Sequence, residues 1–484
     1  MKKHSLVWIA GLIVLLSFQG FSQHKTAGKS TEVIILHVND MHAKIDNLPK
    51  LAYLADSLRK IHLFVFLVSA GDNFTGNPVV DMISDKGYPM IDLMNRCGFN
   101  VSAMGNHEFD LGQENLNKRF EQAKFPFICC NLDATGTPLK QPKPYLILEV
   151  GKKIHIAWLG IIELNDKGIP DTHPSKVKGI KFYDGITKAK EYSWLKKKYR
   201  ILIGLTHLGV ETDVKLADSM PEFDEIIGGH SHTLIEKPMI ENGVMIVQAA
   251  SNLKYIGKTT LLIENGRVTG RSDEVIPISA LHKADSTLVE LCGKYNRNEE
   301  FSQVAGIAEA PFEGYDALGS LMTDALTHQL KVDVAFQNRG GIRISSLSQG
   351  PITIKDIYQL DPFGNLVVTF RMKPEEICSL ISYAYDLEKG LDLQVSGMKY
   401  TVTSDGQGHC LGVDLLDYSG KPLDPSRDYT VAMNSYIAAS YRFDHSDPGT
   451  TGSFTTAEIL IQYLKEVKKV NYSGVQRALQ TVKP

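Results

Sequence analysis

Between residues 32 and 278 the chain repeats one pattern: an apolar run of strand length, a polar cluster, then usually a helix-prone stretch. The runs lie at 33–38, 63–68, 101–104, 154–159, 201–205, 225–227 and 244–247. Runs that are apolar throughout suit strands buried on both faces of a sheet. Between them, residues 89–97, ended by Gly98, and the charged stretch 184–199 read as covering helices. The pattern predicts a layered α/β unit over 31–278. Residues 281–300 read as one amphipathic, charged helix, so 279–300 is a plausible connector. A second α/β unit follows over 301–484, with strand-like runs at 332–336, 366–370 and 429–433.

The first residues stand apart. Lys2 and Lys3 precede an apolar run over 6–18, then small and polar residues to Gln23. That run is short for a membrane span and fits a secretory signal over 1–23. The expected location is periplasmic or secreted, with no membrane contact once the signal is removed. The remaining residues are too many for one core, so more than one domain is expected. A net charge of −3 argues against a nucleic acid polymer as partner. Six cysteines in 484 residues make no disulfide scaffold, and no CxxC spacing supports a thiolate zinc site.

The polar clusters carry the candidate chemistry. Asp40 and His42 follow the first run, Gly71-Asp72 the second, Asn106 and His107 the third, Thr206-His207 the fifth, and Gly229-His230-Ser231-His232 the sixth. Ligands of open α/β sheets bind beyond the carboxyl ends of strands, so five such ends can converge on one point. Asp, His and Asn without Cys favour divalent Zn, Mn, Co or Mg, and there are donors enough for two ions. Hydrolytic two-metal sites hold their ions about 3.5–4 Å apart, and Asp72, with two carboxylate oxygens, is the natural bridge. Such a site attracts an anionic ester. His107 offers a nitrogen to a metal or a proton to a substrate, and Asp110, three residues on, can orient its ring. His37 and His155 sit inside apolar runs and read as core residues, while His62 and His328 have no place at a strand's carboxyl end.

The second unit has no metal cluster. It has Asn338-Arg339-Gly340-Gly341-Ile342-Arg343, Asp361-Pro362-Phe363-Gly364-Asn365 and Asn434-Ser435-Tyr436. Glycines let a ligand approach the backbone, an arginine takes a phosphate, and two aromatics can sandwich a base; turn chemistry plus core aromatics explains the same residues.

The set Asp-x-His, Gly-Asp, Gly-Asn-His-Glu, Thr-His and Gly-His-x-His resembles the calcineurin-like metallophosphoesterases. The spelling Gly-Asn-His-Glu-Phe-Asp with a long C-terminal extension resembles the secreted 5′-nucleotidases. The resemblance implies an α/β/β/α metallophosphoesterase sandwich followed by an α/β substrate-binding domain. It implies one ion on Asp40, His42, Asp72 and His232, and a second on Asp72, Asn106, His207 and His230. His107 and Asp110 would be the catalytic pair, with Glu108 as support. Phe363 and Tyr436 would stack the base, Asn338, Asn365 and Gly390 would line the nucleoside pocket, and Arg343 would meet the phosphate. The implied reaction is hydrolysis of 5′-nucleotides to nucleoside and phosphate. Alternatives are a 2′,3′-cyclic nucleotide phosphodiesterase, a nucleotide-sugar hydrolase, and a secreted nucleotide-binding protein without turnover.

The chain departs from that family twice. No arginine lies between Phe301 and Gln337, where further phosphate-binding arginines are common. Arg442 stands where the family carries a ribose-gripping Asp.

Overall fold

The computed structural model describes residues 30–483. The first strand, Thr31–Val38, shows why the apolar runs are continuous. Val33 and Ile35 point into a core shared with Trp158, Ile201 and Ile203 of a second sheet. Leu36 and Val38 point the other way, onto Leu48 and Leu51 of the helix Leu48–Arg59. Alternate side chains therefore enter two different cores, so the buried run is apolar apart from His37.

Two six-stranded sheets form in this half. Thr31–Val38, Val65–Ser69, Val101–Ala103 and Phe127–Ile128 run parallel in the first. Ile154–Ile162, Arg200–His207, Glu225–Ile227 and Val244–Val247 run parallel in the second. The outer face of the second sheet, with Leu159 and Leu202, packs on Leu216 and Ala217 of the helix Val210–Ser219. The layers are helix, sheet, sheet, helix, as the resemblance implied.

Three elements differ from the sequence reading. The stretch 184–199 is two short helices, Gly185–Lys190 and Trp194–Tyr199, separated by a turn. The connector helix spans only Ser286–Asn296: Asp285 caps it by accepting from the Leu288 amide at 2.9 Å, which fixes its start. The hairpin Tyr255–Glu264 with Arg267–Pro277 extends the first sheet antiparallel and was not foreseen, because its half-exposed outer strand carries polar residues. His155 is also no core residue: its side chain is 38% exposed and lies 3.8 Å from Glu149. His37 is fully buried, 3.0 Å from Asp273.

The C-terminal half centres on a five-stranded sheet in the order Leu393–Ser396, Val334–Asn338, Tyr429–Asn434, Leu366–Met372, Thr450–Thr455. Phe336, Val368 and Phe370 pack on Ile377 and Ile381 of the helix Pro374–Glu388. Ala335, Val367 and Ala432 face Leu318 and Leu321 of the helix Gly314–Leu330.

Candidate metal centre and substrate cleft

The chemistry gathers where strands of both sheets end. Asp40 and His42 follow Thr31–Val38, Asp72 follows Val65–Ser69, and Asn106 and His107 follow Val101–Ala103. His207 closes Arg200–His207 in the second sheet, and His230 and His232 follow Glu225–Ile227. Asp40, His42, Asp72, His230 and His232 all have positive φ, between 45° and 76°. Side-chain residues rarely adopt that backbone, and its clustering here aims each side chain at one point. Gly105 is fixed by crowding: a Cβ there would lie 2.2 Å from Asp72 Oδ1.

The side chains fall into two groups. In one, His42 Nε2 lies 3.0 Å from His232 Nε2, and His232 Nε2 lies 3.4 Å from Asp40 Oδ1. In the other, Asn106 Oδ1 lies 3.2 Å from both His207 Nε2 and His230 Nδ1, and His207 Nε2 is 3.1 Å from Asp72 Oδ2. Asp72 belongs to both, because its oxygens also join ligand-spaced sets with His42 and His107 and with Asp40 and His207.

The donor set fits divalent cations. His207 Nδ1 lies 2.7 Å from the Ala70 carbonyl and donates to it, which turns Nε2 inward as a ligand atom. His42 Nδ1 lies 3.2 Å from the Thr75 carbonyl, which turns its Nε2 toward His232 and the Arg343 guanidinium. Asn106 Nδ2 donates to the Asp171 carbonyl at 3.0 Å, which leaves its oxygen facing the histidines. Burial lowers His207, but Asp72 and Asp40 outweigh that and lift it to about 10, so this spot favours positive charge. Burial, Arg343 and His107 hold His42 well below its ordinary value, and burial with His207 takes His230 down to about 4. Those rings stay neutral with a lone pair to offer.

Glu108 faces away from these atoms. It is fully buried and accepts from the amides of Asp72 at 3.0 Å, Asn73 at 2.8 Å and Gly105 at 2.6 Å, tying two site loops together. His107 Nδ1 is 2.6 Å from Asp110 Oδ2, and its Nε2 is 3.9 Å from Asp72 Oδ2. Burial lowers His107, while Asp72 and Asp110 raise it further, so the net direction is up.

A cavity of about 1460 Å³ opens over this centre and is lined from both halves of the chain. His107, Asp110, His230 and His232 line one wall. Asn338, Arg343, Phe363, Asn365 and Tyr436 line the other. Arg343 Nη2 approaches His42 Nε2 to 3.0 Å, and its guanidinium carbon is 5.7 Å from the Phe363 ring centre. Phe363 also lies 5.7 Å from the His107 ring. Gly390 lies outside this lining; Glu388 and Asp392 beside it are within. Arg442 is also outside it, donating to the Asp166 carbonyl at 3.1 Å.

The sequence reading passed over one segment, 163–172. Glu163 Oε1 accepts from the Asp171 amide at 3.0 Å. Thr172 Oγ1 donates to Asp110 Oδ1 at 2.8 Å. Asp171 accepts from the Tyr436 hydroxyl, so one loop touches Asn106, Asp110 and the opposite wall.

Comparison with known proteins agrees with this geometry. Residues 33–234 match the model of the calcineurin-like phosphoesterases, and residues 300–442 match the 5′-nucleotidase C-terminal domain. The chain carries both domain types of the 5′-nucleotidases, in that order. It is 29% identical to a 5′-nucleotidase of Vibrio cholerae, over 92% of each chain, and 27% identical to Protein UshA of Yersinia enterocolitica, over 96% of this chain and 97% of that one. It is 27% identical to endonuclease YhcR of Bacillus subtilis over 92% of this chain, which spans only 41% of that protein. Among solved structures, the 5′-nucleotidase precursor of Thermus thermophilus superposes with a TM-score of 0.82 at 26% identity, over 94% of this chain and all of that one. The phosphoesterase match and these relatives make the protein a metal-dependent phosphoester hydrolase.

Proposed function

We propose that the protein hydrolyses 5′-nucleotides to nucleoside and phosphate with two divalent ions. The observation that carries this reading is the pair of donor groups sharing Asp72 at the floor of a cleft whose far wall holds Phe363 and Tyr436. Asp40, His42, Asp72 and His232 would hold one ion, and Asp72, Asn106, His207 and His230 the other. The ions, when bound, supply Lewis acidity and an activated water for in-line attack. His107 donates a hydrogen bond to the phosphoryl oxygen on which charge develops, and Asp110 fixes the ring for that task. Arg343 offers its guanidinium to the same phosphoryl group. Phe363 and Tyr436 take the base between them, and Asn338 and Asn365 offer amides to the nucleoside. The division at 279–300 puts metals and base clamp on separate units, so substrate lies between them. The N-terminal stretch, which lies outside the described residues, supports export to the periplasm or beyond.

A phosphate-release screen over 5′-nucleotides, 2′,3′-cyclic nucleotides, nucleotide sugars and sugar phosphates, with Mn²⁺, Co²⁺ or Zn²⁺, tests this. Fastest release is expected from the 5′-nucleotides. Preference for a cyclic nucleotide would move the reading to a phosphodiesterase, and metal-loaded protein that releases no phosphate from any of them would make it a binding protein.

A further inference from the structure

The parallel strands that deliver the site residues all begin at the opposite pole. Thr31, Val65, Ile154 and Arg200 open strands whose other ends lead to Asp40, Asp72 and His207. With eight residues in Thr31–Val38, the poles are roughly 25 Å apart.

This far pole carries two features that soluble surfaces seldom combine. The first is apolar. Ile61 and Leu63 are 76% and 86% exposed, the two most exposed large hydrophobic side chains among the described residues. Their turn is held in place: the Ile61 amide donates to Leu58 at 3.0 Å, Ile34 donates to the Phe64 carbonyl at 2.9 Å, and His62 between them meets Glu32 at 2.6 Å. Held this way, the alternating chain turns His62 inward and leaves Ile61 and Leu63 outward. The second feature is charge. A shallow cavity of about 770 Å³ joins Phe64 and Thr31 to Lys152, Lys153, Lys198 and Arg200. All four cationic side chains are exposed. Of the acids at this pole, Glu32 meets His62 and Glu149 lies 3.8 Å from His155, while the exposed Glu264 stands beside the cationic cluster. A cationic rim on a chain of net charge −3 runs against the sign of the whole.

We propose that this pole docks on an anionic lipid surface, with Ile61 and Leu63 entering the interface, Lys152, Lys153, Lys198 and Arg200 meeting lipid phosphates, and the catalytic cleft facing away. Apolar side chains beside a basic cluster are the chemistry of reversible membrane attachment, since insertion and charge attraction add. Among the described residues no helix is long and apolar enough to cross a membrane. This departs from the expectation of a protein free of membranes.

Co-sedimentation of the purified protein with vesicles tests the proposal. One set is pure phosphatidylcholine and the other contains about a third phosphatidylglycerol. Binding is expected to the anionic vesicles alone and to weaken in high salt. Leu63→Ser and the pair Lys152→Glu with Lys153→Glu should each lower partitioning roughly tenfold or more, with unchanged thermal melting showing that the fold is intact. Equal partitioning of these folded variants and the natural protein would overturn the proposal. So would absence of binding to anionic vesicles. Concentration-dependent dimerisation lost in Leu63→Ser, without vesicle binding, would assign the face to a second copy of the chain instead.

Discussion

His107 Nδ1 lies 2.6 Å from Asp110 Oδ2, and that carboxylate is gripped from behind by Thr75 at 2.9 Å and Thr172 at 2.8 Å. The ring is therefore oriented through three neighbours; its geometry also allows a ligand-spaced set with His42 and Asp72, and the proposed catalytic role keeps it out of the donor set. His107→Ala should keep its metals and lose about 10²–10⁴ in kcat, the scale of a positioned acid or base. Elemental analysis and steady-state kinetics on the same preparation check this; loss of an ion from the variant would make His107 a ligand.

One loop of the N-terminal half holds one short helix of the C-terminal half. Lys167 donates to the Ala439 carbonyl at 2.7 Å, Arg442 to the Asp166 carbonyl at 3.1 Å, and Tyr436 to Asp171. Substrate must enter and product leave between these walls, so the halves are expected to separate in each turnover. Cysteines replacing Lys167 and Ala439, once joined as a disulfide, should slow turnover at least severalfold, with reductant restoring it. Full activity in the oxidised form would argue against opening.

Stacking on Phe363 and Tyr436 tolerates any flat base and is worth about 1–3 kcal/mol per base. Little choice among adenine, guanine and uracil is expected, and Phe363→Ala or Tyr436→Ala should raise KM by about one to two powers of ten. Arg442 contacts Asp166 and lies outside the cleft lining, so no carboxylate at that position holds the ribose diol. Deoxynucleotides should be hydrolysed nearly as well as ribonucleotides. A large preference for the intact ribose in kcat/KM would assign the diol to another residue, and Asp392 and Glu388 in the lining are the first to replace.

Far from the cleft, Glu225 is fully buried, and its one donor is the Thr259 hydroxyl at 2.6 Å. That hydroxyl is also 2.9 Å from Asp273, and it has a single proton to give. Burial, helped by Asp273, pushes Glu225 up to about 8. A carboxyl raised in the folded state contributes stability below its unfolded pKa of about 4.3, and that contribution is lost as pH rises toward 8. Glu225→Gln removes the titration. Its melting temperature relative to the natural protein should therefore climb between pH 5 and pH 9, by the equivalent of at most about 4 kcal/mol, three pH units at about 1.4 kcal/mol each. A pH-independent difference would show that Glu225 does not titrate in this range.

The strand ends were legible because a polar cluster after an apolar run is a local signal. Asp40, Asp72, Asn106, His207 and His230 could each be placed without knowing which strands are neighbours. The apolar runs did not say which strand joins which of the two sheets that the resemblance implied, since register and stacking depend on partners far along the chain. The loop holding Glu163, Asp171 and Thr172 was passed over for the same reason: it has no periodicity, and its roles exist only through Asn106, Asp110 and Tyr436. His155 misled because it sits in an apolar run, yet it lies near the strand's beginning, at the exposed far pole. The hairpin Tyr255–Glu264 with Arg267–Pro277 was hidden by its polar outer face, which water covers.

Metal content and phosphate release, measured side by side in the natural protein and in Asp72→Ala, test the central claim most directly. The natural protein, loaded with Mn²⁺ or Co²⁺, should carry two ions per chain and release phosphate from a 5′-nucleotide, losing both with chelator and regaining both with metal. Asp72→Ala should hold neither ion and release none. An Asp72→Ala protein that retains two ions and hydrolyses the nucleotide at the natural rate would contradict the shared-carboxylate centre on which the account rests.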